Sequence, residues 1–387
     1  MIKGESKGKR ILITSTDVMM YQFLLPHVRH LYENGYTVDV ACSKAEGYKN
    51  EKYHEYIREH LPEGSAFYPV PLERSPFTLK NRKGLTCLKE IISKNDYDLI
   101  WTNEPVMSVM TRLAARKARK RGTKVLYLAH GYHFFKGAPK ANWLAYPVEK
   151  VMSHFCDAMC MICFEDYYFT QKHMPKKPVY HIDGIGLDVR KYADVQVDRG
   201  AKRRELGFTD EDILVLSVGE LQHRKNHEPM LRALAAIGDK RIKYIICGRG
   251  ELEQHLLSTA KELGMADNFF LLGHRYDIAE ILKCVDIFAH PSRREGLGIA
   301  ALEAMAAGLP LVTSNVQGIK DYVIDGQTGY VTEPNDVEGY KTAVLKLISD
   351  SQLRAEISKN NKEFVKKYDI SNSVIQMQKI IEKILGV

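Results

Sequence analysis

The chain has 387 residues, of which 45% are hydrophobic and 27% are charged, a composition typical of a soluble globular protein. Its length exceeds what one ordinary hydrophobic core supports, so we expect two domains. No stretch approaches the roughly 20 apolar residues that span a bilayer, and the apolar residues 11–14 are too few for a signal peptide, which predicts a cytoplasmic protein.

The net charge of +8 is unevenly distributed along the chain. Residues 1–185 carry 28 Lys and Arg against 19 Asp and Glu, whereas residues 186–387 carry 28 against 29. The whole positive excess therefore lies in the first half. Such a basic half suits a polyanion, an anionic membrane surface or a phosphorylated substrate.

The seven cysteines are odd in number and lie mainly in apolar segments, which indicates buried thiols in a reducing compartment. Cys156, Cys160 and Cys163 are close together in sequence, but no second pair at zinc-ligand spacing follows them. We predict that these cysteines are structural and that the protein binds no metal.

The first half alternates predicted strands with helices after a short, basic N-terminal tail (residues 1–9). A helix over residues 19–34 ends at Gly35, and a second helix spans residues 105–121. The predicted strands are residues 10–14, 36–42, 67–72, 98–102, 124–129, 157–164 and 179–182. This alternation predicts a doubly wound parallel sheet.

The second half repeats the pattern and ends in about fifty residues that are wholly helical. Its predicted strands are residues 213–218, 243–247, 269–272, 285–289 and 311–313. Its predicted helices are residues 227–237, 252–263, 278–283 and 298–307. We therefore predict an α/β fold with two Rossmann-like doubly wound domains that face each other across a cleft.

The predicted domain boundary is glycine-rich, and Gly184 and Gly186 are candidate hinge residues. We predict an N-terminal acceptor-binding domain of residues 1–183 and a C-terminal nucleotide-sugar-binding domain of residues 184–387. The terminal helix, at about residues 371–387, is a candidate to pack back on the first domain.

Ligands of open α/β sheets bind outside the carboxyl ends of the strands, where the second half carries polar loops. Gly219 ends one strand, and Arg224 and Lys225 follow. Adjacent cations at a strand end suit a diphosphate, although a solvated basic turn is an equal alternative.

Two further loops carry weaker signals. Gly248, Arg249 and Gly250 follow one strand, and glycines there permit either close approach to a ligand or an ordinary tight turn. Gly273 and His274 follow another strand, where backbone groups either contact a nucleotide base or merely connect two elements.

The segment HPSRREGLGIAALEAMAAG gives the strongest signal. Gly296, Leu297 and Gly298 precede a helix, where free backbone N–H groups and the helix dipole favour a phosphate. Glu303 lies among apolar helix residues, where an unpartnered carboxylate is costly. We therefore predict that Glu303 accepts hydrogen bonds from sugar hydroxyls, and a solvent-facing Glu303 is the alternative.

Glu295 and Glu303, which have seven residues between them in this segment, resemble the paired glutamates of the retaining family-4 GT-B glycosyltransferases. The resemblance extends through VGELQHRKN, ICGRGE, FLLGH and GQTGYVTEP, over most of residues 180–335. The segment LAHGYHFFKGAPKANWLAYPVEK is similar to that of bacterial exopolysaccharide and capsule transferases of this family.

The resemblance implies retention of anomeric configuration without a bound metal or cofactor, from a nucleotide-sugar co-substrate that is UDP-linked by default. It implies that Glu303 holds the donor ribose and that Glu295 contacts the transferred sugar. The implied catalytic residues are His130, Glu295, Lys225 and Arg224. The implied donor-binding residues are Gly219, Arg224, Lys225, Gly248, Arg249, His274, Glu295, Gly296, Leu297, Gly298 and Glu303.

Two positions depart from the family pattern. Glu220 stands where many members have an arginine, so neutralisation of the diphosphate is left to Arg224 and Lys225. The loop Thr14-Ser15-Thr16-Asp17 stands where many members have a glycine pair, so the usual acceptor contacts do not transfer to this chain. The only Asp-x-Asp sequence, at residues 96–98, precedes a strand and indicates a surface turn.

The basic first half is the candidate acceptor side. Residues 112–121 form a predicted basic helix end, and cations and amphipathic aromatic residues follow at Lys136, Lys140, Trp143, Tyr146 and Lys150. A solvated helix face is the alternative for the basic run. We expect peripheral attachment to the anionic inner face of the plasma membrane and a polyprenyl-diphosphate-linked sugar acceptor.

Three other functions compete with a transferase. A GT-B-shaped nucleotide-sugar epimerase would use the same donor without an acceptor. A non-catalytic glycan-binding relative is suggested by Glu220. Nucleic-acid binding fits the basic charge, but the sequence has no recognisable reading motif, so we predict that no nucleic acid is bound.

Overall fold

The computed structural model describes residues 8–44, 51–73, 75 and 78–387, so most of the predicted N-terminal tail lies outside the described residues. The chain forms two compact units, one reaching Gly186 and including Ile370–Val387, the other being Leu187–Asp369. The first unit thus extends past predicted residue 183, and the last helix belongs to it.

The first unit contains a seven-stranded sheet in the order β3-β2-β1-β4-β5-β6-β7, and every adjacent pair is parallel. The strands are mostly continuous apolar runs because both faces of a parallel sheet are covered. The strands are β1 (Arg10–Ser15), β2 (Thr37–Ser43), β3 (Phe67–Val70), β4 (Leu99–Asn103), β5 (Lys124–Ala129), β6 (Ala158–Met161) and β7 (Val179–His181).

Helices cover this sheet and bury residues such as Leu88, Met107 and Met159 in its core. The α-helices are Asp17–Met19, Leu25–Glu33, Glu51–His60, Asn81–Lys94, Pro105–Ala114, Arg116–Lys120, Ala145–Met152, Phe164–His173 and Ile370–Leu385. A π-helix spans Met20–Leu24, and 3₁₀ turns span Lys140–Leu144 and Ser153–Phe155.

Two predicted helices of this unit are interrupted. The helix predicted over residues 19–34 contains the π-helical turn Met20–Leu24. Pro26 follows this turn, and because proline has no backbone N–H and its ring clashes with the preceding turn, regular α-helical bonding cannot run through it. The helix predicted over residues 105–121 is divided at Ala115.

The second unit contains a six-stranded parallel sheet in the order β10-β9-β8-β11-β12-β13. The last of these strands was not predicted, because it has only four residues and begins at a glycine. The strands are β8 (Ile213–Val218), β9 (Ile242–Cys247), β10 (Phe269–Gly273), β11 (Ile287–His290), β12 (Leu311–Ser314) and β13 (Gly329–Thr332).

The helices of the second unit bury Met230, Leu234 and Val344 against this sheet. The α-helices are Val189–Ala193, Arg199–Glu205, His227–Ile237, Glu253–Glu262, Ile278–Cys284, Ile299–Ala307, Val337–Ser349 and Ser351–Phe364. The 3₁₀ turns are Ala266–Asn268, Gln317–Asp321 and Val365–Tyr368.

Each sheet reverses its strand order once, between β1 and β4 in the first unit and between β8 and β11 in the second. Loops leave such a reversal in opposite directions and open a crevice at the carboxyl ends of the strands. Of the predicted site residues, Arg224, Lys225 and Glu295 lie in the loops after β8 and β11, beside the reversal of the second unit.

Candidate active site

The loops after β8 and β11 flank the reversal in the second unit and are bonded to each other. Asn226 lies in the left-handed region (φ 56°) at the start of the helix His227–Ile237. Its side-chain Nδ2 donates to the carbonyls of Pro291 (3.0 Å) and Pro334 (2.6 Å), and its Oδ1 accepts from Arg293 Nε (2.8 Å). The two predicted loops are therefore held side by side.

Glu295 is the centre of this site. Its buried Oε1 accepts from Lys225 Nζ at 2.6 Å, from Ser292 Oγ at 2.9 Å and from Arg224 Nη1 at 3.5 Å. His290 Nε2 lies 3.2 Å from the same oxygen. The structure thus brings three predicted catalytic residues together, with two neighbours that sequence reasoning did not select.

The charges of this cluster follow from burial and contact. Burial alone would raise the pKa of Glu295, but Lys225, His290 and Arg224 outweigh it and hold that pKa well below its usual range. Burial lowers the pKa of His290, against the opposing effect of Glu295. Glu295 is therefore ionised at neutral pH, and His290 is a neutral donor.

The cations of this crevice outnumber its carboxylates. Arg224 contacts both Glu295 and the exposed Glu220 (3.3 Å). Arg294 is half-buried, and within the described chain its guanidinium has no hydrogen-bond acceptor. Burial, followed by repulsion from Arg224, lowers the pKa of Arg294. Cations that repel one another in a crevice favour an anionic ligand.

The amides of Gly296, Leu297 and Gly298 have no hydrogen-bond partner in the described ranges. Gly298 has φ 77° and precedes the helix Ile299–Ala307. A Cβ on Gly298 would lie 2.8 Å from the Tyr322 hydroxyl, which donates to the carbonyl of Leu297 (2.8 Å). Glycine is therefore required here by both conformation and space.

Glu303 does not face open solvent, as the alternative interpretation required, but is half-buried with a protein partner. The Tyr192 hydroxyl donates to Glu303 Oε1 at 2.6 Å. Burial raises the pKa of Glu303, and the Tyr192 bond and Lys191 oppose this shift. Tyr192 was not predicted as a site residue.

The glycines after β8 and β9 serve the packing of the two loops. A Cβ on Gly248 would overlap the carbonyl oxygen of Gly219, and one on Gly250 would overlap that of Leu221. A Cβ on Gly219 would lie 3.1 Å from Lys225 Cε. Close approach between protein loops therefore explains Gly248 without any ligand.

The other predicted donor-side residues lie at the end of the sheet formed by β9 and β10. Arg249 and His274 are exposed, and Arg249 Nε would lie 3.5 Å from a Cβ on Gly273. The His274 ring packs against Tyr276 (4.8 Å between centroids). These residues remain at the edge of the loop cluster.

His130 belongs to the first unit, where it follows β5. Its Nε2 lies 3.1 Å from Asn103 Oδ1 at the end of β4. Burial lowers the pKa of His130 to about 4, so its imidazole is neutral at pH 7.

Glu104, next to Asn103, is hydrogen-bonded to the loop after β1, where the glycine pair of the family pattern is absent. Its carboxylate accepts from the backbone N (2.9 Å) and Oγ1 (2.8 Å) of Thr16. Its backbone has φ 63° and ψ 154°, a strained conformation for a non-glycine residue.

Only some of the basic side chains of the predicted helix end, residues 112–121, are exposed. Arg112 is buried and pairs with Glu149 (3.0 Å), so its inclusion was wrong. Arg119 pairs with Asp157 (2.7 Å). Arg112 belongs to the helix Pro105–Ala114, where Met107 and Thr111 are buried as well.

Other candidate metal features have structural contacts. Asp98 pairs with Lys9 (2.9 Å) and Asp96 is exposed. Cys156, Cys160 and Cys163 are buried, and none of them forms a disulfide within the described chain. In the described residues, no group of three or more His, Cys, Asp or Glu side chains is arranged to hold a metal.

Comparison with known proteins identifies the family. The model described as "Glycosyl transferases group 1" matches residues 198–364, and "Glycosyl transferase 4-like" matches residues 11–163. The glycosyltransferase EpsD of Bacillus subtilis (strain 168) is 31% identical over 378 residues, which cover 96% of each chain. The chain belongs to the group 1 glycosyltransferases.

Two further relatives extend the comparison. The transferase is 29% identical over 304 residues to an Escherichia coli enzyme named UDP-Gal:alpha-D-GlcNAc-diphosphoundecaprenol alpha-1,3-galactosyltransferase, covering 76% of this chain and 77% of that one. HepE of Anabaena, solved with UDP and glucose, has a TM-score of 0.77 at 19% identity, covering 97% and 100%. The predicted fold class, two Rossmann-like domains of the GT-B type, is confirmed.

Of the site residues that the sequence analysis did not select, one has a recognisable local pattern and another has none. His290 ends β11 as His130 follows β5, so the rule applied to His130 would have selected it. Tyr192 contacts a glutamate 111 residues away, and no local pattern announces such a pair.

Proposed function

We propose that this transferase moves a sugar from a UDP-sugar to a polyprenyl-diphosphate-linked glycan, in the synthesis of an exopolysaccharide or capsule. The observation that carries the proposal is the convergence of Arg224 and Lys225 on Glu295 Oε1, beside the unpartnered amides of residues 296–298. Cations and N–H groups at one crevice are the groups that bind a diphosphate.

The same groups supply the chemistry. A sugar–phosphate bond breaks more readily when preorganised charge meets the departing diphosphate. Arg224, Lys225 and the helix start would neutralise it without a metal or other cofactor, while Glu295 contacts the sugar and Glu303 the ribose. Departure and attack on one face of the sugar would retain its anomeric configuration.

The names of similar proteins support the choice of substrates. The Escherichia coli relative is named for UDP-Gal and for a GlcNAc-diphosphoundecaprenol acceptor, and HepE was solved with UDP and glucose. We propose a UDP-linked donor and a lipid-linked diphosphate acceptor for this chain on that basis.

The proposal is tested by incubating the full-length protein with a panel of nucleotide-sugars and EDTA, with and without a polyprenyl-diphosphate-linked sugar. We expect acceptor-dependent release of one nucleotide, a product of unchanged anomeric configuration by NMR, and loss of about 100-fold or more in rate for Lys225→Ala and Glu295→Gln. Lys341→Ala, on an exposed helix surface, is the control.

Other outcomes reject the proposal. An epimerised nucleotide-sugar without release would identify an epimerase. Nucleotide binding without turnover of any donor would identify a non-catalytic relative. Rescue of inactive protein only by a divalent cation would reject the metal-free mechanism.

We further propose that an apolar surface of the first unit attaches the protein to the inner face of the plasma membrane. This apolar surface consists of Trp143, Leu144, Val148 and Val151, of which Leu144 is 76% exposed and Val151 58%. The helix Ala145–Met152, which carries Val148 and Val151, is anchored by buried Glu149, which pairs with Arg112.

Lysines lie close to this apolar surface in sequence. In the described ranges, no helix combines the length and hydropathy of a membrane span, so any attachment by the described helices would be peripheral. Exposed lysines at positions 136, 140 and 150 flank the surface. Apolar side chains bordered by lysines suit the interface of an anionic bilayer.

Sedimentation with phosphatidylglycerol vesicles tests this attachment. We expect Leu144→Glu with Val148→Glu to reduce the bound fraction at least tenfold, because two charges would enter the acyl region. Leu345→Glu, at an exposed apolar position of the second unit, is the matched control. Equal binding of wild type and the double variant would reject the apolar surface. Equal binding of wild type to phosphatidylcholine vesicles would reject the preference for an anionic membrane.

A further inference from the structure

Asn103 connects the strand ends of the first unit. It is buried at the end of β4, where its Nδ2 donates to the carbonyl of Thr14 at 3.1 Å. Its Oδ1 lies 3.1 Å from His130 Nε2. The side chain therefore spans from β1 to the residue that follows β5.

These contacts determine the orientation of the Asn103 amide. A backbone carbonyl only accepts hydrogen bonds, so the atom beside Thr14 must be the NH₂ group. The other atom is then the amide oxygen, which also only accepts. His130 Nε2 must consequently carry a proton.

The second ring nitrogen of His130 is left with a lone pair. Because burial keeps the ring neutral at pH 7, the single proton is the one on Nε2. His130 Nδ1 makes no hydrogen bond to the described part of the chain, and it is not among the buried polar atoms that lack a partner. It is therefore open to a ligand or to water.

We propose that Asn103 is a positioning residue that fixes His130 in the Nε2–H tautomer, so that Nδ1 accepts a hydrogen bond from a substrate hydroxyl. The proton on Nε2 rests on the contacts and the free lone pair on Nδ1 also on the burial of the ring, whereas the substrate hydroxyl rests on the proposed transferase function. A lone pair at Nδ1 repels a phosphate oxygen, so this tautomer excludes His130 Nδ1 from binding the diphosphate.

The tautomer is measured by NMR on the full-length protein with ¹⁵N-labelled histidine at pH 7, with His130 assigned by its loss in His130→Gln. We expect a protonated, pyrrole-type Nε2 and an unprotonated, pyridine-type Nδ1. A proton on Nδ1, an imidazolium or a rapid mixture of tautomers would overturn the proposal.

Kinetics separate positioning from general structure. Asn103→Leu should give mixed tautomers and a 10- to 100-fold lower kcat, with the donor KM changed less than threefold. Thr102→Val removes a neighbouring buried hydroxyl that is hydrogen-bonded to Thr14 (2.7 Å). This variant should change neither the tautomer of His130 nor kcat. Unchanged tautomer and kcat in a folded Asn103→Leu would contradict the assignment. A wild-type protein with the expected tautomer but no transfer would instead refute the proposed function.

Discussion

At the scale of single residues, the crevice of the second unit combines Arg224, Lys225 and Arg294 with Glu295 as their buried counter-ion. Ion pairs satisfy Glu295 but leave excess positive charge. A bound diphosphate would supply negative charge to balance these cations. Arg294 could bind it without giving up a hydrogen bond, because its guanidinium has no acceptor in the described chain.

Removal of Arg294 should weaken donor binding specifically. For Arg294→Ala we expect the donor KM to rise about tenfold, consistent with the loss of one charge-assisted contact, with kcat changed less than threefold. Steady-state kinetics with the donor that the nucleotide-sugar panel identifies measure this. Arg232→Ala, on an exposed helix pair with Glu228, should leave KM unchanged, and an equal effect of the two variants would exclude a specific role for Arg294.

Tyr192 should act through Glu303. In Tyr192→Phe the carboxylate loses the hydroxyl donor at 2.6 Å, so the pKa of Glu303, already raised by burial, should rise further. The ionised form is then lost as pH falls. We expect the donor KM to rise about 5- to 30-fold and the ratio of variant to wild-type KM to be larger at pH 6 than at pH 8. A pH-independent ratio would contradict this linkage.

Sequence could predict the acceptors and cations of the site but not their supporting contacts. Glu295 and Glu303 stand in a local pattern on one loop and helix, and Lys225 follows a strand. The partner of Glu303 comes from a distant element, because tertiary packing brings Tyr192 to it. In the first unit, Arg112 is likewise buried against the distant Glu149. Local spacing carries no record of either contact.

At the scale of elements, the last helix is bound into the first unit through polar contacts. Ser373 Oγ donates to the carbonyl of Gly184 (2.9 Å), and Gln376 Nε2 donates to Asp183 (2.8 Å). His27 Nε2 contacts the carbonyl of Ile185 (3.0 Å) and lies 3.5 Å from Ser373 Oγ. These buried contacts attach the chain terminus to the end of the unit's main segment.

Acid should loosen this junction. Burial lowers the pKa of His27 to about 4, so the folded state binds its proton less readily than the unfolded state. The contribution of neutral His27 to the free energy of unfolding is fully present above the unfolded pKa of about 6.5 and is lost as pH falls towards 4. About 2 kcal/mol of this contribution is lost by pH 5.

His27→Gln should lose less stability than wild type between pH 7 and pH 5, by about that amount. Both tryptophans lie in the first unit, and Trp101 packs edge-on against His27, so tryptophan fluorescence during urea unfolding reports this unit. Parallel pH dependence of the two proteins would contradict the assignment to His27.

The loops after β8 and β9 should depend on Gly248. In Gly248→Ala the new methyl group would overlap the Gly219 carbonyl, so one loop must shift, with expected loss of thermal stability and at least tenfold weaker nucleotide binding. Gly200→Ala, inside a helix and near only flexible side chains, is the control and should be neutral or stabilising. Thermal unfolding and UDP titration test both, and wild-type behaviour of Gly248→Ala would refute the interlocked loops.

Most elements were predictable because apolar runs of four to seven residues alternate with amphipathic helices. The failures have different causes, one local and one tertiary. Pro26 interrupts the first long helix, and the strand Gly329–Thr332 depends on pairing with β12 more than on its own sequence.

At the scale of the whole molecule, the excess Lys and Arg side chains of the first half fall into two groups. Some cations form internal pairs, including Arg112 with Glu149 and Arg119 with Asp157. Others, such as Lys117 and Lys120, are exposed and remain available to an anionic surface. Charge counts from sequence gave the sign of this half correctly, but only tertiary contacts separate the structural cations from the exposed ones.

The most direct test of the central claim is calorimetric titration of the full-length protein with UDP and with uridine in EDTA. We predict that UDP binds at least 100-fold more tightly than uridine, and that Lys225→Ala removes most of this difference, because the proposed diphosphate site consists of the cations and amides beside Glu295. Equal affinity for UDP and uridine, or undiminished UDP binding by Lys225→Ala, would contradict the account.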